Sequence, residues 1–426
     1  MKEKNLHNGF LYRKVQPANK FLAGFFRFVF RIICKQRNVE FVYDEDYLKL
    51  EKEQMILLGQ HRSRLDYYYV YAGLHRSNYH ILCGYQNIFE PVIYHLLKRL
   101  GVIAKMLYQP DSHATMQLFR ATKMGDSVII FPEGIQSTSG ATHPINPATM
   151  KLLMKLKLPV ALVTLKGAYF TRPRYSTDIK KGKITAHYSI LFHKEDYENL
   201  SQEQLYAKLL DRFQYNEFEE HKDDKVAFRG KKPNIYGLDN IIYRCPECAA
   251  EYHFITEGDQ MRCTRCGFAV TMDAYYDITP VSGKLPFANI NDWYLWQRQK
   301  LAEEVENDAF FLSTQVKIGR INVKKLGKNH SLDYYGQGTL TLTNKGLTYY
   351  GTADGACTEL FFHPKQVFSL TMSLDYDLDL YYNGTYYNFK FLENEKQVTK
   401  WMLAAEEIHN LYDPAWRSVS NEVYHA

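Results

Sequence analysis

The chain has 426 residues, 46% of them apolar and 23% charged, a balance that excludes whole-chain disorder and allows several domains. No uncharged apolar run reaches the ~18 residues of a membrane-crossing helix, and seven cysteines are too few and too clustered for a disulfide-stapled secreted framework. The formal charge of +6 is unevenly spread: residues 1–38 hold nine Lys/Arg against one acid (+8), and the remainder holds 44 against 46 (−2).

That basic front is the first expected element. Phe21 to Cys34 reads FLAGFFRFVFRIIC, and on a helix Phe21, Phe25, Phe28 and Ile32 share a face that Arg27 and Arg31 flank. A segment this short, interrupted by two arginines, cannot span ~30 Å of hydrocarbon. It can lie in a membrane interface with its Phe rings buried and its arginines at anionic headgroups. The plainer alternative is a helix packed on the protein's own core with solvated arginines. Residues 1–38 are thus expected to bring a cytoplasmic protein to the cytoplasmic face of a membrane.

From Val39 to Phe192 short apolar runs alternate with helical stretches. Met55–Leu58, Ser127–Phe131 and Val160–Leu165 read as buried strands; Tyr67–His75, Glu90–Leu100 and Ala114–Met124 read as helices. This alternation predicts an α/β domain, a mainly parallel sheet with covering helices, over residues 39–230. Its polar end, 195–240 with the charged patch Glu217 to Lys225, reads as a helix end and linker. Ala288–Asn307 reads as a connecting helix (288–309). From Phe310 to Tyr387, Thr/Tyr/Leu/Phe alternation is punctuated by turn signals at Gly336-Gln337-Gly338, Asn344-Lys345-Gly346 and Asn383-Gly384. That predicts an antiparallel β domain (310–413) with a C-terminal helix, Asn394 to Leu411.

Two strand ends carry candidate chemistry. The first runs through Gly59-Gln60 into His61-Arg62-Ser63-Arg64-Leu65-Asp66. A carboxylate five positions after a His can hold one ring nitrogen protonated and leave the other free as a general base on a substrate hydroxyl. Asp66 also satisfies the capping-box spacing from Ser63, so it could simply bond the Ser63 amide. The second strand ends in Phe131-Pro132-Glu133-Gly134, where Gly permits close backbone approach. Open parallel sheets bind ligands at such C-terminal strand ends.

Together these blocks resemble the glycerolipid acyltransferase family that includes the lysophosphatidic acid acyltransferases. Gln60 to Asp66 is similar to that family's Asn-His-x-Ser-x-x-Asp, and Phe131 to Ser137 to its Phe-Pro-Glu-Gly-Thr-Arg-Ser. Gly101 to Lys105 echoes its second block, and Leu158-Pro159-Val160 its fourth. The resemblance covers about residues 20–215 and implies that His61 is the base and Asp66 orients it. It implies that Ser63, Arg64, Lys105, Glu133, Gly134 and Gln136 line the acceptor site. The donor would be a thioester on coenzyme A or on acyl carrier protein. Gln136 stands where the family usually has Arg, and a neutral amide holds phosphate more weakly than a guanidinium fork. Lys105, Lys166, Arg172 or Arg174 could supply that charge; the expectation is a lipid acceptor other than plain lysophosphatidic acid.

Cys245-Pro246-Glu247-Cys248 and Cys263-Thr264-Arg265-Cys266 form two Cys-x2-Cys knuckles that suit structural, tetrahedral Zn²⁺, with a redox dithiol or iron–sulfur cluster as alternatives. Residues 231–287 resemble a zinc ribbon. Arg244, Arg262 and Arg265 are too few for a nucleic-acid surface. Cys34, Cys83 and Cys357 read as packing residues. The 310–413 region resembles, by pattern alone, a pleckstrin-homology-like or GRAM-like domain, read as a docking scaffold; acidic Asp375 to Asp379 argues against an anionic-lipid pocket there. The expected function is a membrane-peripheral O-acyltransferase. The alternative is a degenerate lipid-binding scaffold that recruits partners through the ribbon and the β domain.

Overall fold

Asn19 caps the helix Lys20–Gln36, the first among the described residues, by accepting a hydrogen bond from the Leu22 amide at 3.0 Å. The computed structural model describes residues 14–76, 78–88, 94–322, 332–373 and 376–424. The first thirteen residues, the start of the expected helix Glu90–Leu100, and Asp375 lie outside them. Phe21, Phe25 and Phe28 are 86%, 52% and 63% exposed, an uncovered apolar stripe. The opposite face packs Phe30 against Tyr67, Tyr68 and Tyr71, so the tyrosine cluster after Asp66 is the seat of this helix.

The flanking arginines have partners within the protein. Arg27 donates to the carbonyls of Leu74, His75 and Arg76, and Arg31 to those of Ala72 and Leu74. These carbonyls close and follow the helix Asp66–Ala72, whose last C=O groups lack partners within the helix and attract cations. The guanidiniums are therefore held against the protein's own carbonyls, with Arg27 half-buried and Arg31 exposed. No helix among the described residues is long and apolar enough to cross a membrane.

A mixed, mostly parallel sheet has the order β1-β7-β6-β2-β5-β3-β4. Its strands are β1 (Val39–Tyr43), β2 (Ile56–Gly59), β3 (Tyr79–Gly84), β4 (Ile103–Lys105), β5 (Ser127–Ile130), β6 (Val160–Lys166) and β7 (Ile184–Phe192). Only β6 and β7 pair antiparallel. β2 sits between β5 and β6 and is buried along its length, as its continuous apolar run requires. Apolar clusters cover both faces, one with Leu57, Ile129 and Val163, the other with Leu58, Ile130 and Leu162.

The polar stretch after β7 packs on this sheet, and the patch read as a helix end and linker begins with a buried residue. Leu205, Leu209 and Phe213 of the helix Gln202–Phe213 are buried, and so is Glu217 in the next short helix. Beyond it a four-stranded antiparallel sheet, β8–β11 (Phe254–Glu257, Gln260–Cys263, Ala269–Met272, Ile278–Ser282), carries the cysteines. The helix Ile290–Val305 follows, its Trp293 wedged among Phe254, Phe268 and Phe287. A seven-stranded antiparallel sheet then runs from Phe311 to Phe391 and is closed by the helix Val398–Tyr412. A last helix, Pro414–Tyr424, was not anticipated. One continuous core joins Phe170, Val270, Trp293, Phe389 and Trp401, so these modules fold against one another. Cys34 is buried as expected, whereas Cys357 is exposed beside Tyr350.

Candidate active site

The ends of β2 and β5 approach so closely that a Cβ on Gly59 would meet the Phe131 ring at 2.7 Å, which leaves glycine the residue that fits. The two motif loops leave the sheet there. Nδ1 of His61 lies 3.0 Å from Oδ2 of Asp66, and a carboxylate only accepts, so Nδ1 carries the proton and Nε2 is left as the basic atom. The imidazole is 27% exposed and the carboxylate is buried. Oδ2 also accepts the Ser63 amide at 2.7 Å, so the capping and pairing readings of Asp66 hold together. Burial pushes the Asp66 carboxyl above its ordinary range, opposed by the bonds from His61 and Ser63.

Glu133 is buried among hydrogen-bond partners. Its Oε1 accepts the His61 amide at 2.8 Å, and its Oε2 takes the His143 amide and the Tyr215 hydroxyl, each at 3.2 Å. In return the Ser137 amide donates to the His61 carbonyl at 2.8 Å. The side chain is thus a buried cross-brace between the two loops, and Gly134 turns the chain behind it at φ +79°.

Arg62, an unremarked position of the first motif, proves to be a second brace. Its buried guanidinium meets Gln60, Glu217 and Glu220 and stacks 3.9 Å from the centre of the Tyr215 ring. Such a network restrains the His61 loop, and removing one partner would strand buried charge. Arg62, His143, Tyr215, Glu217 and Glu220 were all missed in the sequence. Buried acids spaced after an apolar helix were the one available signal, and there they resemble a solvated charge run.

The other expected site residues separate. Ser63 is buried in the loop and Arg64 is exposed beside it. Lys105 donates to the carbonyls of Met106 and Gln109, in its own turn. Lys166 pairs with Asp224 at the surface. Gln136 donates its amide to the Arg172 carbonyl at 3.2 Å, and Arg174 bonds the carbonyls of Gln136 and Met372. Arg172 combines two features, the first of which it shares with Arg244. Its Nε is buried without a hydrogen-bond partner, and among the described residues neither it nor Arg64 has an ion pair. Burial and the neighbouring charges of Arg64 and Arg37 hold its pKa below the ordinary value, with the Tyr67 and Tyr68 phenols facing it.

The four cysteines of the second motif converge. Their sulfurs all lie within 4.8 Å, with Cys245–Cys266 at 3.7 Å and Cys248–Cys263 at 3.8 Å. A tetrahedron with Zn–S near 2.3 Å has edges of about 3.8 Å, so the donor set and its spacing fit Zn²⁺ with all four positions filled.

Comparison with known proteins adds the following. Residues 38–166 match the family model described as Acyltransferase. No curated protein matches the chain. Among solved structures, the 1-acyl-sn-glycerophosphate (LPA) acyltransferase PlsC from Thermotoga maritima is similar at 16% identity and a TM-score of 0.40, covering 48% of this chain and 80% of that one. His61, Asp66 and Glu133 all fall inside the span that matches this family model.

Proposed function

We propose that the protein is a membrane-peripheral O-acyltransferase that moves an acyl chain from a thioester of coenzyme A or acyl carrier protein to a hydroxyl of a lipid. The observation that carries this reading is the His61–Asp66 pair, with Nε2 free, on a loop braced from two sides. Nε2 takes the acceptor's hydroxyl proton as its oxygen attacks the thioester carbonyl. The tetrahedral intermediate then collapses, the C–S bond breaks, and the imidazolium returns its proton to the departing thiolate. Asp66 holds the tautomer and stabilises the imidazolium.

The uncompensated Arg172 and Arg64 support an acceptor with an anionic headgroup, in place of the family-type Arg that Gln136 replaces. The uncovered Phe21–Phe28 stripe and the lysines around it support attachment to anionic lipid, as at a cytoplasmic leaflet. Structural zinc at the four cysteines would stabilise a ribbon-like module beside a pleckstrin-homology-like sheet.

The test is acyl transfer from labelled acyl-CoA and acyl carrier protein to a panel of lysolipids with and without phosphate. His61→Ala should abolish transfer while fold and metal content stay unchanged, and Arg172→Gln should selectively weaken anionic acceptors. Transfer by the His61→Ala protein would refute the proposal.

A further inference from the structure

The loop that follows β5, residues 133–143, is enclosed by the C-terminal third of the chain. Ser139 donates to Asn291 at 2.6 Å. Arg174 ties the Gln136 carbonyl to that of Met372. Tyr108, whose ring lies beside Gly134, stacks on Phe368 with ring centres 5.1 Å apart. The last contact comes from the final helix, where the Tyr424 hydroxyl lies 2.5 Å from Nδ1 of His143.

This last contact is built rather than incidental. The Thr138 amide donates to Nε2 of His143, so the neutral ring carries its proton on Nδ1 and donates it to Tyr424. Burial and the charges of Arg174 and Arg298 push the His143 imidazole down to about 3, which keeps it neutral. The Tyr424 ring lies 3.7 Å under the Arg298 guanidinium, itself paired with Glu406 and Glu407. From His143 the contacts run through its amide to Glu133 and from Glu133 to the His61 amide.

We infer that Asn291, Phe368, Met372 and the helix Pro414–Tyr424 complete the catalytic face, with Tyr424 a positioning residue that fixes His143, and through Glu133 the His61 loop. This rests on the acyl-transfer reading for its effect on rate, but not for its effect on structure. A module read from sequence as a scaffold thus becomes part of the site's wall.

The experiment is amide hydrogen exchange and kinetics on the full chain carrying Tyr424→Phe, which keeps the ring over Arg298 and removes the hydroxyl. Exchange in peptides spanning 59–66 and 133–143 should rise about tenfold while β8–β11 stay as in the wild type. The kcat per folded molecule, with the folded fraction read from circular dichroism and kept at the wild-type value, should fall about fivefold or more with both KM values within about twofold. Asn291→Ala, which releases Ser139 from the other side, should loosen 133–143 and decides the matter if Tyr424→Phe fails to fold. Wild-type exchange at both peptides in these variants overturns the inference. If the wild-type protein transfers no acyl group, the acyl-transfer proposal falls, and the exchange result alone carries the positioning role.

Discussion

The main-chain N–H of His61 is held by Oε1 of Glu133 at 2.8 Å, although the two stand 72 positions apart. A carboxylate with three donors around it is well suited to be charged, yet burial is the larger effect and pushes Glu133 from 4.5 up to about 7. The folded protein therefore holds this proton more tightly than the unfolded chain. Glu133 contributes stability that is full below about pH 4.5 and is lost as pH rises toward and through about 7. Glu133→Gln removes that titration. Between pH 5 and pH 8 the wild type should lose more stability than the variant, by at most about 3 kcal/mol, read from urea midpoints. Equal losses in the two proteins would show that Glu133 is already ionised at pH 5.

What could be read from the sequence follows from what is local. His61 and Asp66 stand on one loop and the next helix turn, and Phe131 to Gly134 ends one strand, so a short window contained each motif. The parallel sheet was legible because β2, β5 and β6 are buried on both faces and read as unbroken apolar runs. The braces were not. Arg62 and Glu217 are 155 positions apart, His143 and Tyr424 are 281 apart, and a buried polar residue is written with the same letters as a solvated one. Periodicity likewise identified the exposed Phe stripe but not the destination of Arg27, because the carbonyls it meets belong to another element.

The cysteine cluster makes a second prediction. The purified protein should contain one zinc per chain, and Cys263→Ser should abolish it. Zinc held by four thiolates contributes on the order of 10 kcal/mol to folding of small modules. Here Cys245 and Cys263 lie in the same continuous core as Trp293 and Trp401, so metal loss should propagate. A strong chelator should lower the midpoint of the transition that includes the C-terminal sheet, followed by tryptophan fluorescence. Unchanged melting in a chelator, together with four titratable free thiols and no metal, would remove the zinc assignment.

The N-terminal helix separates two roles that its sequence merges. Phe28 is 63% exposed and makes the apolar stripe, whereas Arg27, one residue before it, bonds three carbonyls beyond the tyrosine-rich helix. Burying a Phe side chain in an interface is worth about 1.5–3 kcal/mol, so Phe28→Asp should weaken binding to anionic vesicles about tenfold or more with little effect on folding. Arg27→Gln should do the reverse. Losing charge-assisted bonds to the carbonyls of His75 and Arg76, and one of the two arginine bonds to Leu74, costs about 1–3 kcal/mol of stability, while vesicle affinity stays within about threefold. Vesicle sedimentation and urea unfolding on both variants check this. If Arg27→Gln instead lost vesicle binding as strongly as Phe28→Asp and kept full stability, Arg27 would belong at the headgroups and its bonds to Leu74, His75 and Arg76 would carry no weight in the fold.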